Sequence, residues 1–345
     1  MMFRLSFPLV AAFATFLLGP VAAWASPIIV SGTGGFDYQA DAIQPWGAPS
    51  ERVVVFERLS SFIGDLYLTR STDSGASWSD PVPIVTGTAN QRHADLVQTG
   101  ESSFQLFYLS NATGSFRIHR SSSSDLVDFT DHGALDLGWA SGGEINPQVI
   151  RRPDGELFMV YHRLSGAAYI AQSSDGGVTW DLRRQQVSPS NAALPRLSYR
   201  PSDGRYLLAY QTNPGNNQLR LWSRTTLDPA SWSDTPVEIA AGGNNHDGWP
   251  ILRSDGRFMV FWARVVDGNF QIFSSDSTDG LAWSERIQRV SRPGLDNIQP
   301  HVLDLGDGRL DLYWGAAETV SGTDFQILRD TIALDPLFQD RFQLL

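Results

Sequence analysis

The octapeptide Ser71-Thr72-Asp73-Ser74-Gly75-Ala76-Ser77-Trp78 returns as Ser173-Ser174-Asp175-Gly176-Gly177-Val178-Thr179-Trp180, and in shortened form as Ser277-Thr278-Asp279-Gly280-Leu281-Ala282-Trp283. Weaker copies end at Phe129, in Ser122-Ser123-Ser124-Asp125-Leu126-Val127-Asp128-Phe129, and at Trp232, in Asp228-Pro229-Ala230-Ser231-Trp232. The closing aromatics at 78, 129, 180, 232 and 283 are separated by steps of 51, 51, 52 and 51 residues, a register that marks an internal repeat. The chemistry of the turn is local. Asp and Ser side chains bond nearby backbone N–H groups, Gly takes the positive φ, and the aromatic packs back between neighbouring sheets.

Upstream of each turn a second pattern keeps the same register. Pro147-Gln148-Val149-Ile150 is followed by Asp154-Gly155 and Leu157-Phe158-Met159-Val160-Tyr161. The same order recurs from Pro195, Pro250 and Pro300, with Asp203-Gly204, Asp255-Gly256 and Asp307-Gly308 at the turns. Asp-Gly between two β-rich runs is a hairpin signal. A third strand, such as Asp65 to Thr69 or Gln271 to Ser274, then leads into the Ser-x-Asp turn. Each unit is therefore a four-stranded meander that cannot bury both faces alone. Six such units, with inner strands starting near 41, 93, 145, 194, 248 and 298, predict an all-β six-bladed propeller. The sixth unit lacks a recognisable Ser-x-Asp turn, and Pro27-Ile28-Ile29-Val30 is the natural outer strand to complete it and close the ring.

The Ser-x-Asp-x-Gly-x-x-Trp turns resemble the Asp-box (BNR repeat) of sialidases and related propellers, over nearly the whole chain beyond the N-terminal leader. The resemblance implies that these turns are structural features of the outer rim. It also implies, for a sialidase, a Tyr/Phe-Arg-Ile-Pro motif in the first blade whose Arg grips the substrate carboxylate. The matching stretch here is Tyr38-Gln39-Ala40-Asp41-Ala42-Ile43, without the Arg. Arg196 is the only strand-start arginine that resembles a later member of the sialidase triad, and no Tyr nucleophile with a Glu partner can be placed. Sialidase activity itself is not expected.

The N-terminus reads as an export signal. Arg4 supplies positive charge, Leu5 to Ala22 is mostly apolar, and Ala23-Trp24-Ala25 offers small residues for cleavage. Residues 1–25 are thus expected to be a signal peptide and 26–345 a single propeller domain, secreted or periplasmic, monomeric and not membrane-bound after cleavage. A net charge of −11 argues against nucleic acid as partner. All 26 basic residues are arginine and cysteine is absent, which excludes lysine nucleophiles, disulfides and thiolate chemistry. No metal-ligand spacing or calcium loop appears, and no cofactor is expected.

In a propeller the inner strand of each blade lines the axis, so the starts of these strands carry the site. They read Asp41, Gln44, Arg92, His93, Asp95, Glu144, Asn146, Arg196, His246, Asp247, Trp249, Asn297, Gln299 and His301, polar where a packing strand wants apolar residues. One reading is a hydrated channel network. The other is a sugar site. Asp95, Glu144 and Asp247, with His93 and His246, are the candidates for the acid–base pair that glycosidic cleavage needs. Arg196, Arg92, Asp41, Trp249, Gln299 and His301 are candidates for substrate binding. Trp46 and Trp139 offer sugar-stacking or packing surfaces. Two alternatives stay open. One is a polysaccharide lyase using His93 or His246 as base with Arg92 or Arg196 on a uronate carboxyl. The other is a non-catalytic sugar-binding propeller. Strand starts that differ from blade to blade favour one asymmetric axial site and hence an enzyme acting on an oligo- or polysaccharide.

Overall fold

A computed structural model describes residues 26–32, 35–215, 218–319 and 324–334. The expected signal peptide lies outside the described residues. β1 (Ile28–Ile29) precedes five blades that are each continuous in sequence. The first is β2 (Asp37–Ile43), β3 (Arg52–Ser60), β4 (Ile63–Ser71) and β5 (Val82–Val85). The second is β6 (Gln91–Gly100), β7 (Ser103–Ser110), β8 (Arg117–Ser123) and β9 (Thr130–Ala134). The third is β10 (Glu144–Arg151), β11 (Leu157–Arg163), β12 (Ala168–Ser173) and β13 (Asp181–Gln186). The fourth is β14 (Ala192–Arg200), β15 (Arg205–Thr212), β16 (Arg220–Thr226) and β17 (Val237–Glu238). The fifth is β18 (Asn245–Leu252), β19 (Phe258–Val266), β20 (Asn269–Ser277) and β21 (Ile287–Val290). The sixth blade is β22 (Asn297–Asp304), β23 (Arg309–Ala317) and β24 (Phe325–Ala333), with β1 as its outer strand. All pairings within blades are antiparallel, and no helix occurs among the described residues.

The second strand of each blade is apolar on both faces because both are covered. On β3, Val53 and Val55 pack toward the second blade, against Leu106 and Tyr108. The alternate residues Val54 and Phe56 pack toward the sixth, against Tyr313 and Ile327. Ring closure is made twice over. Ile28 and Ile29 pair with Arg329 and Leu328, as Pro27–Val30 predicts. In the same seam the fully buried Asp311 of the sixth blade takes Arg52 Nε of the first at 2.8 Å, and also Arg329.

The repeated turns connect the third and fourth strands of their blades. Asp175 Oδ1 accepts the Thr179 N–H at 2.9 Å and Oδ2 the Thr179 hydroxyl at 2.6 Å, while Ser173 Oγ accepts Gly177 N–H at 2.9 Å. Asp73 does the same with Ser77. The aromatics do reach the neighbouring blade: Trp180 meets Phe107 edge-on at 5.6 Å, Trp78 meets Tyr313 at 6.1 Å, and Trp283 Nε1 donates to Ser223 Oγ at 2.9 Å. Gly177 stands at φ +89°, where a Cβ would come within 2.7 Å of the Phe107 ring. The turn therefore demands Gly twice, for conformation and for room.

Candidate active site at the hub

Every inner strand breaks register at the same place, and the residue at the break is a non-glycine at positive φ: Gln39, His93, Asn146, Leu194, Asp247 and Gln299, all between 48° and 54°. Such a bulge adds one residue and re-aims its side chain. Because it recurs in all six blades, it belongs to the fold. Its consequence is chemical: the bulges from β2, β6, β14, β18 and β22 turn Gln39, His93, Leu194, Asp247 and Gln299 into one axial well.

Two residues further along each strand lies a belt that joins the blades. Asp41 Oδ2 accepts the Leu96 N–H at 2.6 Å, Asp95 Oδ2 accepts Val149 N–H at 2.9 Å, and Gln148 Oε1 accepts Leu197 N–H at 2.8 Å. Arg196 then stacks over Trp249 at 5.3 Å, the Trp249 ring lies 4.3 Å from His301, and His301 Nε2 returns to Asp41 Oδ1 at 2.8 Å. Asp41 and Trp249 thus hold the hub together besides facing the well, and His301 braces them from behind. Gln299 also closes the ring one layer up, its Oε1 accepting Gln39 N–H at 3.1 Å.

The electrostatics are uneven. Burial pushes the Asp95 carboxyl well above the ordinary carboxylate range, and neighbouring Asp41 adds to this against the opposing pull of the Val149 N–H and Arg196. Its Oδ1 makes no hydrogen bond among the described residues. Burial works against protonation of His246, yet the charge and hydrogen bond of Asp247, 2.6 Å from Nδ1, outweigh it and raise the imidazole. His93 and His162 go the other way. Burial, helped by Arg92 and Arg196 for the first and by Arg196 and His93 for the second, lowers each to about 3, so both stay neutral. Arg196 has no carboxylate within ion-pair distance among the described residues.

Of the residues expected from sequence, Asp41, His93, Asp95, Arg196, Asp247, Trp249 and Gln299 line the well together, with His301 bonded behind Asp41. His246 sits on its rim against Asp247. Arg92 pairs with Glu57 at 2.8 Å. Glu144 stands apart, buried at the seam of the second and third blades with Arg163 at 3.4 Å and Arg117 at 4.0 Å. Burial raises its pKa against those arginines, and Oε2 has no protein partner. Arg163 in turn lies 4.0 Å over Trp139, and Arg151 lies 4.9 Å over Trp46 on the far face of the hub. Sequence reading missed Glu57 and His162, both at the mouth end of second strands. Glu57 accepts Arg92 and the His93 N–H at 3.0 Å, anchoring that bulge. The available signal was a charged or imidazole residue ending an otherwise apolar run.

The well itself encloses about 30 Å³, room for one or two waters and far too little for a sugar ring. A ring-sized ligand must sit across the mouth.

No curated protein matches the sequence significantly. Among solved structures the chain is similar to a protein of unknown function from Dyadobacter fermentans, with a TM-score of 0.71 and 14% identity over 90% of this chain and 98% of that one. It is similar to the NanB sialidase from Streptococcus pneumoniae, with a TM-score of 0.69 and 12% identity over 89% and 70%. It is also similar to the alpha-L-arabinofuranosidase arb93a from Fusarium graminearum, with a TM-score of 0.66 and 14% identity over 90% and 98%. Identities this low speak for a common fold. In sequence, the model of the BNR repeat-like domain matches residues 66–246, more than half of the chain, and the chain belongs to that family.

Proposed function

We propose that the protein is an exported, monomeric glycoside hydrolase whose reaction takes place at the mouth of the hub. The observation that carries this reading is the presence, in one well, of two carboxyls in unlike surroundings: Asp95, whose pKa burial raises, and Asp247, 2.6 Å from His246. Asp95 is suited to protonate the leaving oxygen, and Asp247, oriented by His246, to act as the second carboxylate. Fold similarity to a sialidase and an arabinofuranosidase supports a glycan substrate. Missing counterparts of the sialidase arginine motif argue for a sugar other than sialic acid. The leader sequence supports export. Glu144 is assigned a supporting part, holding Arg163 against Trp139 beside the mouth.

A second reading, elimination at a uronate, is favoured by Arg196, which is free of carboxylate contacts and flanked by neutral His93 and His162. Its weakness is quantitative: an imidazole with a pKa of about 3 is a poor base for an α-proton.

The test is a screen of purified protein against para-nitrophenyl glycosides, beginning with the α-L-arabinofuranoside, and against oligosaccharides. Reducing ends and unsaturated-uronate absorbance are both followed. Reducing ends without new absorbance are expected. New absorbance would select the lyase, and neither signal would leave a sugar-binding propeller.

A further inference from the structure

We propose that the protein carries a second sugar site, on the face of the hub opposite the mouth, where Trp46 stacks on one ring of a polysaccharide chain. The proposal rests on the carbohydrate reading above and adds an anchoring site to it. The far ends of four inner strands frame the site. Ile43 of β2, Gln98 of β6, Arg151 of β10 and both Leu303 and Asp304 of β22 line one depression with Trp46. It holds about 500 Å³, inside the roughly 300–1,000 Å³ range of small-ligand pockets. The well holds about 30 Å³. Along β2, four residues of strand, roughly 13 Å, separate Gln39 at the well from Ile43 at the depression. A well that small passes no sugar ring, so the two cavities take separate stretches of glycan.

Trp46 is 48% exposed, the most exposed of the described tryptophans. Leaving an indole in water is unfavourable, yet the turn that presents it is tightly bonded. The Trp46 N–H donates to Gln98 Oε1 at 2.8 Å, and Gln98 Nε2 is itself fixed on the Gly100 and Glu101 carbonyls at 3.1 and 3.2 Å. Within the turn, Ala48 N–H donates to the Pro45 carbonyl at 3.2 Å and Gln44 Nε2 to the Pro49 carbonyl at 3.1 Å. An aromatic held in place beforehand loses little entropy on binding. Arg151 lies 4.9 Å over the indole and has no carboxylate within ion-pair distance among the described residues. Its Nε is buried without a protein partner. Ring and guanidinium together suit a sugar, whose C–H face is apolar and whose edge is hydroxylated. Trp249 at the well differs, being held between Arg196 and His301. No other residue lining the depression is an exposed large hydrophobic, so this face lacks the apolar area that a protein partner needs.

The experiment is affinity electrophoresis of the full mature chain in native gels that contain soluble arabinan, arabinoxylan or polygalacturonate. Every sample carries Asp247→Asn, so that the mouth turns nothing over during the run. Retardation by arabinan or arabinoxylan is expected, and added salt should leave it in place because stacking is not screened. Trp46→Ala should weaken the apparent affinity about tenfold or more, Trp46→Phe should keep most of it, and Arg151→Gln should cost a few-fold. Trp46→Ala alters an exposed side chain and should leave the thermal midpoint nearly unchanged. Should that midpoint fall, the ring-keeping Trp46→Phe variant decides, with retardation expected and its loss counting against the site. Equal retardation of Trp46→Ala and its parent overturns the proposal, as does retardation of neither. Retardation by polygalacturonate alone, abolished by salt, overturns stacking in favour of charge. A dimer in sedimentation that Trp46→Ala breaks gives the face to a second copy instead. The glycoside screen judges the hydrolase reading separately. Cleavage without Trp46-dependent retardation removes the anchoring site alone, and Trp46-dependent retardation without cleavage leaves that site on a sugar-binding propeller.

Discussion

Aspartate and tryptophan occur both in the rim turns and at the hub, in two regions of opposite character. At the rim, Asp73 and Asp175 receive hydrogen bonds from their own turns, and those bonds pull both carboxyls down to about 2; for Asp175, burial opposes this but is outweighed. At the hub, Asp95 has one N–H donor and a raised pKa, while His93 Nδ1, His162 Nδ1 and Asn146 Oδ1 are buried with no protein partner. Saturated polar groups stabilise a fold. Polar groups left short of partners on an axis open to solvent are groups for water or ligand. The repeat marks the first kind of site, and departure from the repeat marks the second.

The largest test of this division is catalytic. Asp247→Asn should lower kcat/KM roughly a hundred- to ten-thousand-fold with little change in thermal midpoint, whereas Asp175→Asn should leave kcat/KM nearly unchanged. Equal losses of activity in the two would erase the distinction. Next comes the seam. Asp311→Ala leaves Arg52 and Arg329 buried without their shared carboxylate, and should cost about 3–5 kcal/mol in urea unfolding. Asp175→Ala removes bonds at the exposed rim and should cost only about 1–2 kcal/mol.

Acid should separate the regions by pH. Native His93 and His162 are neutral down to about 3, while an unfolded imidazole binds its proton near pH ~6.5. Between those values the unfolded state holds more protons, so stability falls as pH drops through this window. The rim aspartates have depressed pKa values. Their contribution is present above the unfolded value of about 3.9 and is lost only as pH falls through about 2. Unfolding midpoints measured from pH 7 to pH 3 should decline, and a double His93→Gln, His162→Gln variant should flatten that decline. Smallest is Glu144→Gln, which keeps the side chain's shape beside Arg163 and should reduce kcat/KM less than about tenfold. A larger loss would move the acid–base centre out of the well toward the seam.

Much of the architecture was legible in the sequence because its causes are local. A Ser-x-Asp turn bonds to its own backbone, an Asp-Gly hairpin sets its own register, and a run such as Val53–Phe56 declares that both its faces are covered. Closure by Ile28 and Ile29 followed from counting strands. The site was legible only as a set of strand starts. Glu144 and Asp95 look alike in the chain, yet one lies in a seam between arginines and the other in the well, a difference set by the bulge that turns each inner strand. Glu57 and His162 escaped notice because each follows directly on the apolar run of a second strand, which reads as core.

By itself, the sequence determined the repeat, the strand count and the polar character of the axis, since each depends on contacts within about fifty residues of chain. Only the tertiary structure decided which polar groups meet. Asp95 and Asp247 are 152 positions apart in the chain and line one well because the blades close into a ring. Burial at that meeting point, a property of no segment taken singly, raises the pKa of Asp95 and lowers that of His93.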